Sequence, residues 1–302
     1  MGRDIVYVNL ELRNDSIGTN RALSLEEVRD PDVVKDPEHY ECAIDRISIS
    51  KAFLPMYEDV RTLTVRMVRK SDGAVQQHSL DFSVFTDANG LMWNTEFFVE
   101  ALNAALGLCT SGLGIGAVTA AVANGSNLAT LDYSAQVNFA SGYEVYVNEP
   151  LYAMLSSFAY TGVMFQQEFF QLALKNQAPY TTVTAEAINL SPVDKIFVKS
   201  NQMPIRYEYT PTATSGNASR NSEAIVTDFS FNGSNNYPLT NISYTATEGQ
   251  YRFHAMDAAH KFDTVDLQFY FTTYNNNSYP LYIIPSGSAN VKMLFRRKPT
   301  LG

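Results

Sequence analysis

Hydrophobic and polar residues alternate with a period of two along several short stretches of the chain. Val265, Leu267, Phe269 and Phe271 alternate with Asp266, Gln268, Tyr270 and Thr272. Successive side chains of a β-strand point to opposite faces, so this pattern predicts a strand with one buried face. Ala289, Val291, Met293 and Phe295 repeat it against Asn290, Lys292 and Arg296. Between these two strands the sequence predicts an Asn-rich turn, an apolar run over 281–284 and a Pro-Ser-Gly turn. Leu63, Val65 and Met67 read as a further strand, as do Leu80, Phe82 and Val84. Tyr133, Ala135, Val137 and Phe139 form another, and Ile225, Thr227, Phe229 and Phe231 one more. Weaker strand patterns lie at 6–12, 42–50, 143–147, 196–200 and 251–255.

Two segments carry helical spacing instead. Asn94 is placed to cap a helix whose apolar stripe is Phe98, Ala101, Leu102, Ala105 and Leu106, with Gly107 as its stop. Asn148 is placed to cap a second, with Pro150 in the first turn and Leu151, Met154, Leu155 and Phe158 on one face. Roughly ten strands and two short helices predict an all-β fold, a sandwich, barrel or jelly roll. Strands and helices do not alternate, which disfavours a parallel α/β sheet. Residues 110–127, rich in Gly and Ala, and 210–223, rich in Thr and Ser, read as inserted loops. Residues 1–38 read as an N-terminal arm with limited core contacts, and 39–302 as the main domain.

Composition narrows the functional classes. The 302 residues are 45% hydrophobic and 18% charged, enough for a sizeable core. Tyr and Phe number 18 each against one Trp, which suits sheet. The formal net charge of −9 disfavours wrapping a polyanion with the whole fold. Bases concentrate at the end of the chain, in Lys292, Arg296, Arg297 and Lys298. Cys42 and Cys109 are too few for a disulfide framework. No apolar run approaches the ~20 residues of a membrane span, and no signal peptide is evident. Folding in a reducing cytosol is therefore expected, with the Asn-X-Ser/Thr triplets unglycosylated.

Motifs for catalysis are weak. The Gly-rich stretch Gly112 to Gly116 has the wrong spacing for a dinucleotide loop and follows a helix, not a strand. His39, His78, His254 and His260 lack metal-ligand spacing. Neither cysteine nor any serine sits in a nucleophile signature. Glu208, Asp228, Asp257 and Asp266 are candidates for a carboxylate pair, each more simply a polar position of a strand or turn. No catalytic, cofactor-binding or metal residue is assigned, and no enzyme is expected. Tyr270, Tyr274, Tyr279 and Tyr282 gather near the last strands, and Tyr is favoured at protein interfaces.

The stretch TVDLQFYFTTYNNNSYPLYIIPSGSANVKMLFRRK, residues 264–298, carries a resemblance. It is similar to the closing strands of the single jelly-roll penton (vertex, minor capsid) proteins of virophages and polinton-like viruses, and more distantly of adenovirus-type viruses. Those end in a V-x-L-x-F strand, a PL-x-I-x-x-G segment and an x-V-K-x-x-F-x-R/K strand. The resemblance implies a single jelly-roll β-sandwich of two four-stranded sheets with an inserted loop or β region. It also implies a homopentamer at the five-fold vertices of an icosahedral virion, contacts with a double-jelly-roll major capsid protein, synthesis in the host cytoplasm, and neither membrane nor cofactor. Gly2-Arg3-Asp4 is not the Arg-Gly-Asp order of some adenovirus-type members, so cell attachment is not carried over.

Expected interface residues are Val6, Val8, Leu10 and Leu12, as a strand added to a neighbour, together with Tyr270, Tyr274 and Tyr279. Lys292, Arg296, Arg297 and Lys298 are expected to dock an acidic neighbour or to touch packaged nucleic acid weakly. Two other readings remain open at this point: a β-sandwich glycan- or receptor-binding attachment module, and a jelly-roll hydrolase or lyase.

Overall fold

The computed structural model describes residues 5–29, 33–55, 57–59, 61–93, 95–114, 120–123, 134–140, 142–154, 160–165, 168–172, 180–186, 192–206, 208–210, 221–231, 239–247, 251–257 and 262–299. The chain forms two compact units. The first comprises Met1–Leu54, Val193–Gly233 and Leu239–Gly302, and the second Pro55–Pro192 with Ser234–Pro238.

In chain order the first unit opens with β1 (Ile5–Arg13), β2 (Arg21–Ala22), β3 (Ser24–Val28) and β4 (Tyr40–Phe53). The second unit then supplies β5 (Tyr57–Glu58), β6 (Thr64–Arg69), β7 (Val75–Ser79), β8 (Leu91–Met92) and helix α1 (Thr95–Gly112). It continues with β9 (Ala120–Ala123), β10 (Ser134–Ala140), β11 (Tyr143–Asn148), helix α2 (Glu149–Met154), β12 (Tyr160–Phe165), β13 (Phe169–Leu172) and β14 (Tyr180–Glu186). The chain returns to the first unit through β15 (Val193–Ser200), β16 (Glu208–Thr210), β17 (Asn221–Ser230) and β18 (Leu239–Thr245). It closes with β19 (His254–Ala255), β20 (Thr264–Thr273), β21 (Ser278–Pro280) and β22 (Tyr282–Arg297).

One sheet of the first unit runs β1-β22-β4-β18, with β2 also on β22 and β19 also on β4. The other runs β16-β17-β15-β20-β21, with β3 also on β20. Take β1, β3, β4, β15, β17, β18, β20 and β22 as the principal strands, first to eighth. One sheet then reads first, eighth, third, sixth, and the other second, seventh, fourth, fifth. That is the strand order of a jelly roll, and all these pairings are antiparallel. The second unit is inserted between the third and fourth principal strands.

The core follows the alternation read in the sequence. Val265, Leu267, Phe269 and Phe271 are buried, as are Ala289, Val291, Met293 and Phe295. Where one face of a strand must be dry, a one-residue slip would carry every apolar side chain to solvent, so the pattern specifies register. At β17 the alternation is blurred, because Val226 is buried along with Ala224, Ile225 and Thr227. The pairing with β15 shifts register here, from Val198↔Thr227 to Lys199↔Ile225, and leaves Val226 as the extra residue of β17.

The expected Pro-Ser-Gly turn is not a turn. β22 continues through it as a bulge, with Ser286 at φ 62° and the register against β4 jumping from Ile283↔Ala52 to Ser288↔Ser50. A Cβ on Gly287 would meet the Ile284 carbonyl at 2.9 Å and the Ser50 carbonyl at 3.0 Å, so glycine permits the close approach. Asn14 locks this corner. Its Nδ2 donates to the carbonyls of Thr19 and Ile283, each at 3.0 Å, and its own carbonyl accepts from the Ser286 amide at 2.8 Å.

The N-terminal stretch is not a loosely held arm. β1 pairs with β22 over nine residues, Ile5↔Arg296 to Arg13↔Ser288, and β3 pairs with β20. Val8, Leu10, Leu23 and Leu25 are buried. The strand expected at 251–255 is reduced to His254–Ala255.

The second unit contains a sheet of order β12-β13-β11-β6-β7, a three-stranded sheet β14-β10-β9 and the pair β5-β8. Helix α1 joins the core of this unit: Phe98, Ala101, Leu102, Ala105, Leu106 and Cys109 pack with Leu63, Val65, Met67, Val145 and Val147. Gly107 does not end the helix, which continues to Gly112. A mid-helix glycine costs about 1 kcal/mol, and burial of Cys109 in the next turn outweighs it. Asn148 behaves as a cap, its Oδ1 accepting from the Leu151 amide at 3.4 Å and from the Thr64 amide at 3.0 Å. Residues 80–84 form no strand: Phe82 is buried, but Val84 stands exposed in a turn. The expected loop 110–127 falls inside this unit, where α1 ends and β9 follows. Most of 210–223 lies outside the described residues.

Candidate functional site

The outward face of the β1-β22-β4 sheet is organised around the bases at the end of β22. The chain ladder places Arg296 opposite Glu41, and Lys292 opposite Arg46. A register shift between Lys292 and Met293 leaves Asp45 as the extra residue of β4. Such bulges re-aim side chains, and here Asp45 comes within 3.2 Å of the Lys292 ammonium. The Asp45 carboxylate also accepts from the Tyr251 hydroxyl at 2.7 Å. Partial burial alone would raise its pKa. The Tyr251 hydrogen bond and the Lys292 charge overcome that and hold the carboxyl below its usual range.

Each cation also covers an aromatic ring. Lys292 Nζ lies 4.2 Å from the centroid of Tyr7, and the Arg296 guanidinium lies 3.4 Å from that of Phe253. Arg296 Nε donates to Glu41 Oε1 at 2.5 Å. Leu294 sits between the two cations on β22, opposite Tyr7 and Ala43, and is buried although it faces outward. On the outermost strand, Ile5 and Tyr7 remain 46% and 50% exposed. The face is therefore an apolar strip held by two internal ion pairs, the anatomy of a protein contact with a polar rim.

The expected interface residues separate on the structure. Val8 and Leu10 are buried in the sandwich, and Val6 and Leu12 are half-buried on that same face. They serve this chain's own core, and the outward apolar positions of β1 are Ile5 and Tyr7 instead. Lys292 and Arg296 are engaged as described, and Lys298 Nζ donates to the carbonyls of Glu38 and Met256 at 2.6 and 3.0 Å. Arg297 is exposed at the strand end. Tyr270 stacks on Phe197, centroids 5.3 Å apart, with Lys199 over its ring at 4.3 Å. Tyr279 pairs with Phe271 and so belongs to the opposite, core-facing side. Tyr274 stands exposed in the turn between β20 and β21. The tyrosines are thus not one patch.

The candidate acids are occupied within the fold. Asp266 is buried and accepts from the Ser200 hydroxyl, from the Asn201 amide at 2.8 Å and from the Gln202 amide at 2.9 Å. Asp228 pairs with Arg252, and Asp257 with Arg206 at 3.2 Å. The side chain of Glu208 lies outside the described residues. His254 is buried, with Nε2 at 2.9 Å from the Val226 carbonyl, whereas His39 is exposed. His260 lies outside the described residues, among which no three His, Cys, Asp or Glu gather as a metal site. Burial pushes the Cys42 thiol up to about 12, helped by Glu41, and burial pushes Cys109 up to about 11. Both are free thiols.

Sequence reasoning found the bases of this face but missed Asp45, Glu41, Tyr7, Tyr251 and Phe253. A strand's outward residues carry a local signal, and their partners on distant strands do not.

Over residues 118–297 the sequence matches the family described as Sputnik minor capsid protein V18/19. No curated protein sequence matches it. Among solved structures, the chain is similar to the selenomethionine-labelled mavirus penton protein, with a TM-score of 0.77 at 20% identity over 98% of this chain and 100% of that one. It is also similar to a chain of the Sputnik virophage structure, with a TM-score of 0.72 at 18% identity over 98% of this chain and 99% of that one. At such identities the structural likeness speaks to the fold, and the family match speaks to kinship.

Proposed function

Because the chain belongs to the Sputnik minor capsid protein V18/19 family, we propose that it forms homopentameric pentons closing the five-fold vertices of an icosahedral virion. Its role in the capsid is structural. The observation that carries the vertex assignment is agreement with a penton protein along 98% of this chain and all of the other. Function then resides in shape and contact. Five copies related by rotation meet head to tail, each giving one patch and receiving another. A stable contact of this kind buries on the order of 1,000 Å² or more. The outer rim of the ring meets a double-jelly-roll major capsid protein. Contact with packaged nucleic acid is confined in this reading to Arg297, since Lys292, Arg296 and Lys298 are engaged within the chain. The two buried free cysteines suit synthesis in a reducing host cytoplasm.

The deciding experiment is the solution mass across a concentration series, followed by co-assembly with the major capsid protein and imaging of the vertices. A closed species of five times 33.6 kDa, and density for it at five-fold positions only, is the expected result. A dimer or trimer, or density away from the vertices, refutes the assignment.

A further inference from the structure

We propose that β22 is the closing latch of the first unit: the second unit folds first, and the first unit forms in one later step, when β22 enters between β1 and β4. The consequence drawn for assembly rests on the vertex reading above.

The order follows from where each strand finds its partners. The second unit is drawn from one stretch, Pro55–Pro192, joined only by Ser234–Pro238. Its links are short in sequence. Arg66 reaches Gln77 across 11 residues, Arg69 reaches the Leu113 carbonyl across 44, and Asn148 reaches the Thr62 carbonyl across 86. Helix α1 supplies much of its core, and helices form fast because their contacts are local.

The first unit is the reverse. β22 lies inside its sheet, with β1 on one side and β4 on the other. Among the described residues β1 and β2 have no strand partner except β22. Ser50 reaches Ser288 across 238 residues, Glu41 reaches Arg296 across 255, and Asn14 reaches the Ile283 carbonyl across 269. β22 also brings Ala289, Val291, Met293 and Phe295, all fully buried, into a core that Val8 and Leu10 share. Until β22 arrives, β1 is an extended segment with nothing to pair with, and an isolated strand is not stable in water.

Loop length alone separates the two units by little. Closing 269 residues instead of 86 slows contact about fivefold, because closure entropy grows only with the logarithm of length. The larger effect is mutual dependence. β1 cannot pair without β22, and β22 reaches its full burial only with β1 and β4 both in place, so the three close together. Domains fold as units, and here the unit with local contacts goes first.

For a subunit of a ring, this order keeps copies apart until they are folded. Ile5 and Tyr7 ride β1, and Lys292, Leu294 and Arg296 ride β22, so the outward face described above does not exist before the latch shuts.

The test follows refolding of the whole chain from urea by pulsed hydrogen exchange and mass spectrometry, with light scattering in parallel and the major capsid protein present or absent. Amides of 64–69 and 98–109 are expected to gain protection in an earlier phase, and those of 6–12 and 289–296 together in a later one. Pentamer mass is expected with the later phase and not before. In native-state exchange, Met293→Ala should speed 6–12 and 289–296 at least about tenfold and leave 64–69 within about twofold of wild type. Protection of β1 and β22 with or ahead of the second unit, protection of β1 apart from β22, or an equal rise in exchange through both units overturns the latch. Pentamers that form before β22 is protected overturn its role in assembly. The expected order of protection in a chain that never forms a pentamer, alone or with the major capsid protein, removes the vertex reading and leaves the latch standing.

Discussion

Removing the Asp266 carboxylate tests whether this buried acid is structural or chemical. It holds the end of β15 by accepting two backbone amides, at 2.8 and 2.9 Å, and one serine hydroxyl. Hydrogen bonds to a charged acceptor contribute about 1.5–3 kcal/mol each. Asn201 and Gln202 are exposed, so their amides regain water once the carboxylate is gone, and this halves their share. Relief of the like charge at Glu26 returns about 0.2–1 kcal/mol. The sum predicts a loss of about 3 kcal/mol for Asp266→Ala. Asp266→Asn keeps one oxygen for the Ser200 and Gln202 donors and loses the Asn201 bond, so about 1.5 kcal/mol is expected. Urea unfolding gives the global figure, and hydrogen exchange gives a local one: the Asn201 and Gln202 amides should lose protection first. An Asp266→Ala protein within about 0.5 kcal/mol of wild type, with those amides still protected, would falsify the reasoning.

Two further outcomes follow from buried polar groups. Among the described residues the buried Tyr57 hydroxyl has no hydrogen-bond partner, and burial pushes its pKa up. Tyr57→Phe keeps the ring against Phe82 and Phe98, so stability should be unchanged or about 1 kcal/mol higher; a loss of that size would reveal a partner. Asp45 titrates below its usual range, so its ion pair stabilises the fold above about pH 4 and fades as pH falls through the lower folded value. Wild type should therefore lose stability relative to Asp45→Asn between about pH 4 and pH 2, and a constant difference across that window contradicts the assignment.

Much of the fold was legible in the sequence because alternation is a local property. A strand repeats every two residues wherever it lies, so the buried faces of β20 and β22 were readable from Val265 to Phe271 and from Ala289 to Phe295. The same logic failed where neighbours decide. Leu80, Phe82 and Val84 alternate like a strand but bend into a turn. Gly107 signals a helix end, yet core packing carries α1 five residues further. The Pro-Ser-Gly run reads as a turn, while pairing of the residues before and after it keeps it as a bulge within β22.

The outward face of β22 was half legible. Its two bases, Lys292 and Arg296, stand close in the chain because they ride one face of one strand. Their partners do not: Glu41 reaches Arg296 across 255 residues of sequence, and Asp45 reaches Lys292 through a one-residue bulge. By itself the chain determined which residues want water and which do not, since that is set by each side chain and its immediate neighbours. Only the tertiary structure decided register, and register decides which charge meets which, because a shift of one residue turns a neutralised pair into two unpaired ions.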